Sequence, residues 1–155
     1  MGLYLGSVEI NASIEAVFDF HTDTSNLPLI SPPWMKVRSI QQEGEGLGKR
    51  ISIVISQFGI FRNRWIVAIE EYDRPRRITD LVIKGPMKRF RHARTFSSPQ
   101  PGITLLQDRL EYELPFGLFG KIADRIGGKF FISMMFEYRH RKTKEILETA
   151  FHIDH

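Results

Sequence analysis

The chain has 155 residues, 42% of them hydrophobic, with no cysteine and a formal net charge of +4. That is enough apolar material for one domain, 1–155, with a core of its own, and the missing cysteines exclude disulfides, thiolate metal sites and cysteine nucleophiles. No run reaches the ~20 apolar residues of a membrane-spanning helix, and the opening stretch lacks a basic region, a cleavage site and the Ser/Thr of a myristoylation signal, so a cytoplasmic protein without stable membrane insertion is expected.

Residues 3–10 predict a first strand. Asn11-Ala12-Ser13 then offers helix N-caps, and Ile14, Val17 and Phe18 follow at helical spacing, which predicts a short amphipathic helix to about residue 21. Asp23-Thr24-Ser25-Asn26 caps a second short helix over 27–30. Ser31-Pro32-Pro33 stops it, because proline lacks a donor and disfavours helix in the residue before it. Six more strand-like stretches follow in a block: 34–41, 48–58, 62–72, 77–84, 88–96 and 103–114. Glu43-Gly44-Glu45-Gly46, Asp73-Arg74-Pro75-Arg76 and Gly85-Pro86 read as turns, and 97–102 as a polar loop. Over 48–58, Ile51, Ile53, Ile55 and Gln57 share one face. Over 62–72, Trp65, Val67 and Ile69 form the more apolar face, whereas the facing of 77–84 stays open. Strands in a block, not alternating with helices, predict an antiparallel meander.

Pro115-Phe116-Gly117 ends the sheet, and a long helix is predicted over 118–151. Phe119, Ile122, Ile126, Phe130, Met134 and Tyr138 recur at spacings of three or four, a stripe expected to bury against the concave face of the sheet. Gly127-Gly128 interrupts the helix, each glycine costing about 1 kcal/mol relative to alanine; a kink and a close approach to the sheet both fit. The class is α+β: a curved seven-stranded antiparallel sheet wrapped on a C-terminal helix, with two short helices after the first strand. Such a sheet leaves a cavity wherever the facing side chains fail to fill it. The expected function is binding or carriage of a small, largely hydrophobic molecule.

The last hairpin carries the clearest polar signal. Gln107, Arg109, Glu111 and Glu113 face water, which turns Leu106, Asp108, Leu110, Tyr112 and Leu114 inward. On the preceding strand Phe90, His92, Arg94 and Phe96 share the inner face. The expected register sets His92 opposite Asp108 and Arg94 opposite Leu106, with a slip of two residues open. Either these charges form an internal ion pair that fixes register, or they anchor a ligand's carboxylate, phenol or carbonyl at the wall of an apolar pocket. Acid–base catalysis by His92, oriented by Asp108, is a third reading. The candidate ligand-binding set is Gln57, Trp65, Phe90, His92, Arg94, Asp108, Tyr112, Phe130, Met134 and Tyr138.

Other chemistry finds little support. The five histidines never recur at the i, i+4 spacing of a zinc helix, with His152 and His155 at the C-terminus. No serine has a nucleophile-elbow context, and Gly44 and Gly46 lack the strand–loop–helix setting of a phosphate cradle. No metal and no cofactor are expected. Basic residues cluster at Arg74-Pro75-Arg76-Arg77, over 88–94 and over 139–144. The first reads as a turn, the third as the solvent face of the last helix, and no nucleic-acid motif accompanies them. No nucleic-acid partner is expected.

The run from Ile10 to Phe18 (INASIEAVF), with Asp23, Asn26 and Pro28, resembles the opening of the SRPBCC superfamily, which takes in START-type lipid carriers and aromatic polyketide cyclases. Tyr72-Asp73-Arg74-Pro75, Gly85-Pro86 and the run from Asp108 to Pro115 (DRLEYELP) resemble a bacterial ligand-binding branch of it. Ser13 departs from the pattern, standing where proline is common. The resemblance spans essentially the whole chain and implies a helix-grip fold around an internal pocket. It also implies an alternative function: a cofactor-independent cyclase or dehydratase, with His92 and Asp108 as acid–base groups and Arg94 holding an enolate or carboxylate.

Overall fold

The computed structural model describes residues 1–153; His155, and the side chain of His152, lie outside the described part. Period-two alternation in β1 (Gly2–Ile10) turns Tyr4, Val8 and Ile10 onto the core and leaves Leu3, Leu5 and Glu9 exposed. Ser13 caps α1 (Ile14–Thr22), its hydroxyl accepting the Ala16 N–H at 3.2 Å, and Val17 and Phe18 are buried. Asp23 ends α1 and caps a 3-10 helix (Thr24–Ile30), accepting the Ser25 N–H at 3.1 Å. The meander comes next: β2 (Met35–Glu43), β3 (Arg50–Gln57), β4 (Phe61–Asp73), β5 (Arg77–Lys84), β6 (Arg89–Gln100) and β7 (Ile103–Glu113).

These strands form one antiparallel sheet in the order β1-β7-β6-β5-β4-β3-β2. Sequence neighbours pair throughout the meander, and β1 closes on β7 from Gly2↔Tyr112 to Ile10↔Thr104. Register shifts between Val37 and Ser39, between Ile66 and Val67, and between Ile69 and Glu71 mark the bulges that let a sheet of this width bend. On the concave side lies α3 (Lys129–Ile153). Tyr4 stacks on Phe136 with ring centroids 4.7 Å apart, and Lys144 donates to the Glu9 carbonyl at 2.9 Å, which seats the helix against β1.

The last helix differs from expectation in phase. It begins as α2 (Leu118–Ala123), passes through a π-helical turn (Asp124–Gly128) and continues as α3. Gly120 has to be glycine, since a Cβ there would lie 2.3 Å from the Pro115 carbonyl oxygen. The Gly127-Gly128 pair falls inside the π turn, and a Cβ on Gly128 would lie 2.7 Å from the Asp124 carboxylate, so the close neighbour is Asp124 and not the sheet. A π turn inserts one extra residue and rotates the next helical segment by roughly 100°. The buried face of α3 is Ile132, Met135, Phe136, His140 and Thr143. The expected stripe lies outside: Phe119 is 80% exposed and Phe130 74% exposed, with Ile122, Ile126 and Met134 exposed as well.

Candidate functional site

Sheet and helix do not fill the space between them. Ile51, Ile53 and Ile55 of β3, Trp65, Val67 and Ile69 of β4, and Phe90 of β6 wall a cavity of about 380 Å³. Phe131, Ile132, Met135 and Phe136 of α3 close it from the helix side, with Leu27 and Ile30 of the 3-10 helix. Gln57 lines it from the end of β3. The strand whose facing stayed open, β5, sends Ile78, Asp80 and Val82 into it at alternate positions.

Four of the candidate residues lie elsewhere. Phe130 and Met134 are exposed with the misplaced stripe, and Tyr138 stands off the cavity with its ring beside Arg141. Tyr112 is fully buried, but its hydroxyl donates to the Asp124 carboxylate at 2.5 Å, which ties β7 to the π turn instead of lining the cavity. The other six, Gln57, Trp65, Phe90, His92, Arg94 and Asp108, meet at the cavity wall.

The register of the last hairpin is the slipped one. Arg94 pairs with Asp108 and His92 with Leu110, because β6 runs on to Gln100 and turns tightly through Pro101-Gly102, with a bulge between Ser97 and Gln100, where the sequence reads as a longer loop. His92 and Asp108 are then diagonal neighbours on one face, still within reach of each other. His92 Nε2 lies 2.5 Å from Asp108 Oδ1. The other carboxylate oxygen is taken by Nε2 of His140, which reaches down from α3. All three side chains are buried, Asp108 being 5% exposed. Burial works against the charged form of Asp108, but the hydrogen bonds from His140 and His92 outweigh it and hold the carboxyl well below the usual carboxylate range. An ionised carboxylate only accepts, so both imidazoles present an N–H on Nε2.

Arg94 is engaged by the protein. Its Nη2 pairs with Asp80 on β5, and its Nη1 donates to the His21 carbonyl at 2.9 Å. His21 lines the cavity too, and burial together with the nearby Arg94 charge lowers its pKa to about 3, so its ring is neutral at physiological pH. One charged group remains. Arg139, in the basic run expected to face solvent, lines the cavity and lies over the Phe136 ring at 5.5 Å. Its Nε is sealed from solvent without a hydrogen-bond partner. Burial pulls its pKa down to about 10, with the Arg94 charge adding to the effect against Asp108 and Asp80, and the guanidinium stays protonated at neutral pH.

Asp80, His140 and Arg139 were thus missed. His140 and Arg139 sit in a run of cations and Asp80 in a strand whose facing stayed open, so their inward facing shows only once the helix or strand phase is known. Among the described residues no three His, Asp or Glu side chains are arranged to hold a metal ion, and no helix is long and apolar enough to cross a membrane.

Residues 10–134 match the sequence family described as polyketide cyclase / dehydrase and lipid transport. No curated protein is significantly similar to the chain in sequence. Among solved structures, the chain is similar to a START superfamily protein from Mycobacterium smegmatis, at 15% identity and a TM-score of 0.73 over 96% of this chain and 98% of that one. A protein from Thermus thermophilus aligns at 22% identity and a TM-score of 0.78, over 96% and 99% of the two chains. A norcoclaurine synthase point mutant from Thalictrum aligns at 14% identity and a TM-score of 0.67, over 93% and 94%. At these identities the likeness is one of fold: the helix-grip arrangement of a curved antiparallel sheet on a C-terminal helix.

Proposed function

We propose that the chain, which belongs to the polyketide cyclase/dehydrase and lipid transport family, binds and carries a small, largely hydrophobic molecule in the cavity between its sheet and α3. The observation that carries this reading is the cavity itself. Its volume of about 380 Å³ falls within the roughly 300–1,000 Å³ of small-molecule sites, and an apolar lining with a few convergent polar groups is their common pattern. A thermal-shift screen across lipids, sterols and aromatic compounds tests it. A ligand present at about 100 times its Kd adds about 2.7 kcal/mol, which for a domain of this size raises Tm by roughly 5–10 °C. If no compound raises Tm, and native mass spectrometry of protein from its source finds no bound molecule, the reading falls.

A second reading, cofactor-independent cyclisation or dehydration of a polyketide-like substrate, is favoured by the two imidazoles held on Asp108. Proton transfer in a desolvated pocket is all that such chemistry requires. His92 would serve as the acid–base group through Nδ1, since Nε2 is committed to Asp108. With Arg94 engaged by Asp80, the role of holding an enolate passes to Arg139. His92→Ala separates the two readings: retained binding with loss of turnover selects the enzyme, and absence of turnover with every compound that binds selects the carrier.

A further inference from the structure

Charged groups around the cavity are matched with protein partners in every case but one. Asp108 gives one oxygen to each of two histidines, and Arg94 is held by Asp80 and the His21 carbonyl. Arg139 has the Phe136 ring at 5.5 Å, and its Nε–H is sealed from solvent with no acceptor among the described residues. A guanidinium presents those donors in a planar fork that fits a carboxylate through two parallel hydrogen bonds. Half-buried at the cavity wall with its Nε sealed, the cation has lost part of the hydration it had in the unfolded chain, and an anion restores what was lost.

From this arrangement we infer that the cavity selects molecules bearing a carboxylate, which Arg139 binds, with the apolar body of the molecule running along α3 toward Phe131. The inference rests on the cavity being a binding site, as proposed above, and adds the chemical class of the bound molecule. A cationic ligand is disfavoured, since the three lining carboxylates, Asp23, Asp80 and Asp108, already accept from protein donors and two guanidiniums line the wall. The geometry sets a length as well. Arg139 and Phe131 are eight residues apart on one helix, or about 12 Å along its axis. Phe131 lines the cavity and is backed by Trp34 at 4.5 Å and Phe58 at 6.0 Å between ring centroids, so its ring is held as an apolar end wall. A carboxylate head with an apolar tail or ring system about that long spans the two ends.

Isothermal titration of the wild-type protein with two matched pairs, dodecanoate with dodecanamide and 2-naphthoate with 2-naphthamide, tests this. Each pair keeps shape and removes charge. Charge-assisted pairing in a site shielded from water predicts acid binding about 10–100-fold tighter than amide in at least one pair. Arg139→Met, which keeps an apolar stem and removes the guanidinium, is expected to abolish the preference while still binding the amide, and Arg139→Lys to retain part of it. Equal binding of acid and amide by the wild type overturns the inference and leaves the cavity reading standing, and it does so even if no variant folds. A preference that survives Arg139→Met also overturns it. If neither member of either pair binds, this inference falls, while the cavity reading is decided separately by the thermal-shift screen and native mass spectrometry.

Discussion

Asp108 offers both carboxylate oxygens to imidazoles in a place that water barely reaches. Removing it strands two N–H donors and takes from Arg139 the stronger of its two nearby counter-charges, leaving Asp80. Deleting one member of a buried, hydrogen-bonded charged set costs about 3–5 kcal/mol, against about 0–1 kcal/mol for an exposed pair. Asp108→Ala is therefore expected to lower the urea midpoint markedly. Glu111→Ala, whose partner Arg109 is more than half exposed, should change it by about 0–1 kcal/mol. The pH dependence has a definite sign. A folded carboxyl held below its unfolded value of about 4 contributes stability above that value and loses it as pH falls toward the folded pKa. The gap between wild type and Asp108→Ala should accordingly narrow below about pH 4. Equal midpoints for the two variants at pH 7 would contradict this account of Asp108. The inward facing of Asp108, His92 and Arg94 was legible because each interrupts an apolar face at period two. Their partners were not, because Asp80 lies in a strand of ambiguous facing and His140 in a run of cations.

At the scale of the element, the last helix shows how far periodicity carries. Between Phe130 and Phe136 the sequence Phe-Phe-Ile-Ser-Met-Met-Phe is apolar on several sides, so two stripes of three-and-four spacing pass through it. Carrying the phase across the helix from Phe119 selects one, and the π turn at Asp124–Gly128 belongs to the other. Tertiary contacts distinguish them: the Tyr112 hydroxyl donates to the Asp124 carboxylate in the π turn, and Phe136 stacks on Tyr4 of β1. Two single substitutions do so in the test tube. Phe136 is 1% exposed and packs on Tyr4 and His92, so Phe136→Ala is expected to cost about 3–5 kcal/mol. Phe130 is 74% exposed, and Phe130→Ala should stay within about 0.5 kcal/mol of wild type. Chemical denaturation of both variants measures the difference, and the reverse order would restore the stripe read from spacing.

For the whole molecule, strand order was readable and the cavity only implied. Six consecutive strands joined by short turns dictate neighbour pairing, and β1 then finds β7 because both present an alternating apolar face to one core. A cavity, in contrast, is the difference between a curved sheet and the side chains beneath it. It depends on bulges and helix phase that no local pattern encodes. Its size at the centre can be probed by filling it. Val67 sits mid-sheet on β4, opposite Ile51 of β3 and Val82 of β5, and all three line the cavity. In a packed core, Val67→Phe would force displaced neighbours and cost typically about 1–3 kcal/mol. Where the wall faces open space, the larger ring has room, and the buried apolar area it adds offsets its lost side-chain freedom. Val67→Phe is thus expected to keep its denaturation midpoint within about 1 kcal/mol of wild type while weakening the thermal shift from any ligand that stabilises the wild type. The pair of outcomes is informative together: unchanged stability with lost binding locates the ligand between β4 and α3, whereas a clear loss of stability would mean that the sheet and helix already fill that space.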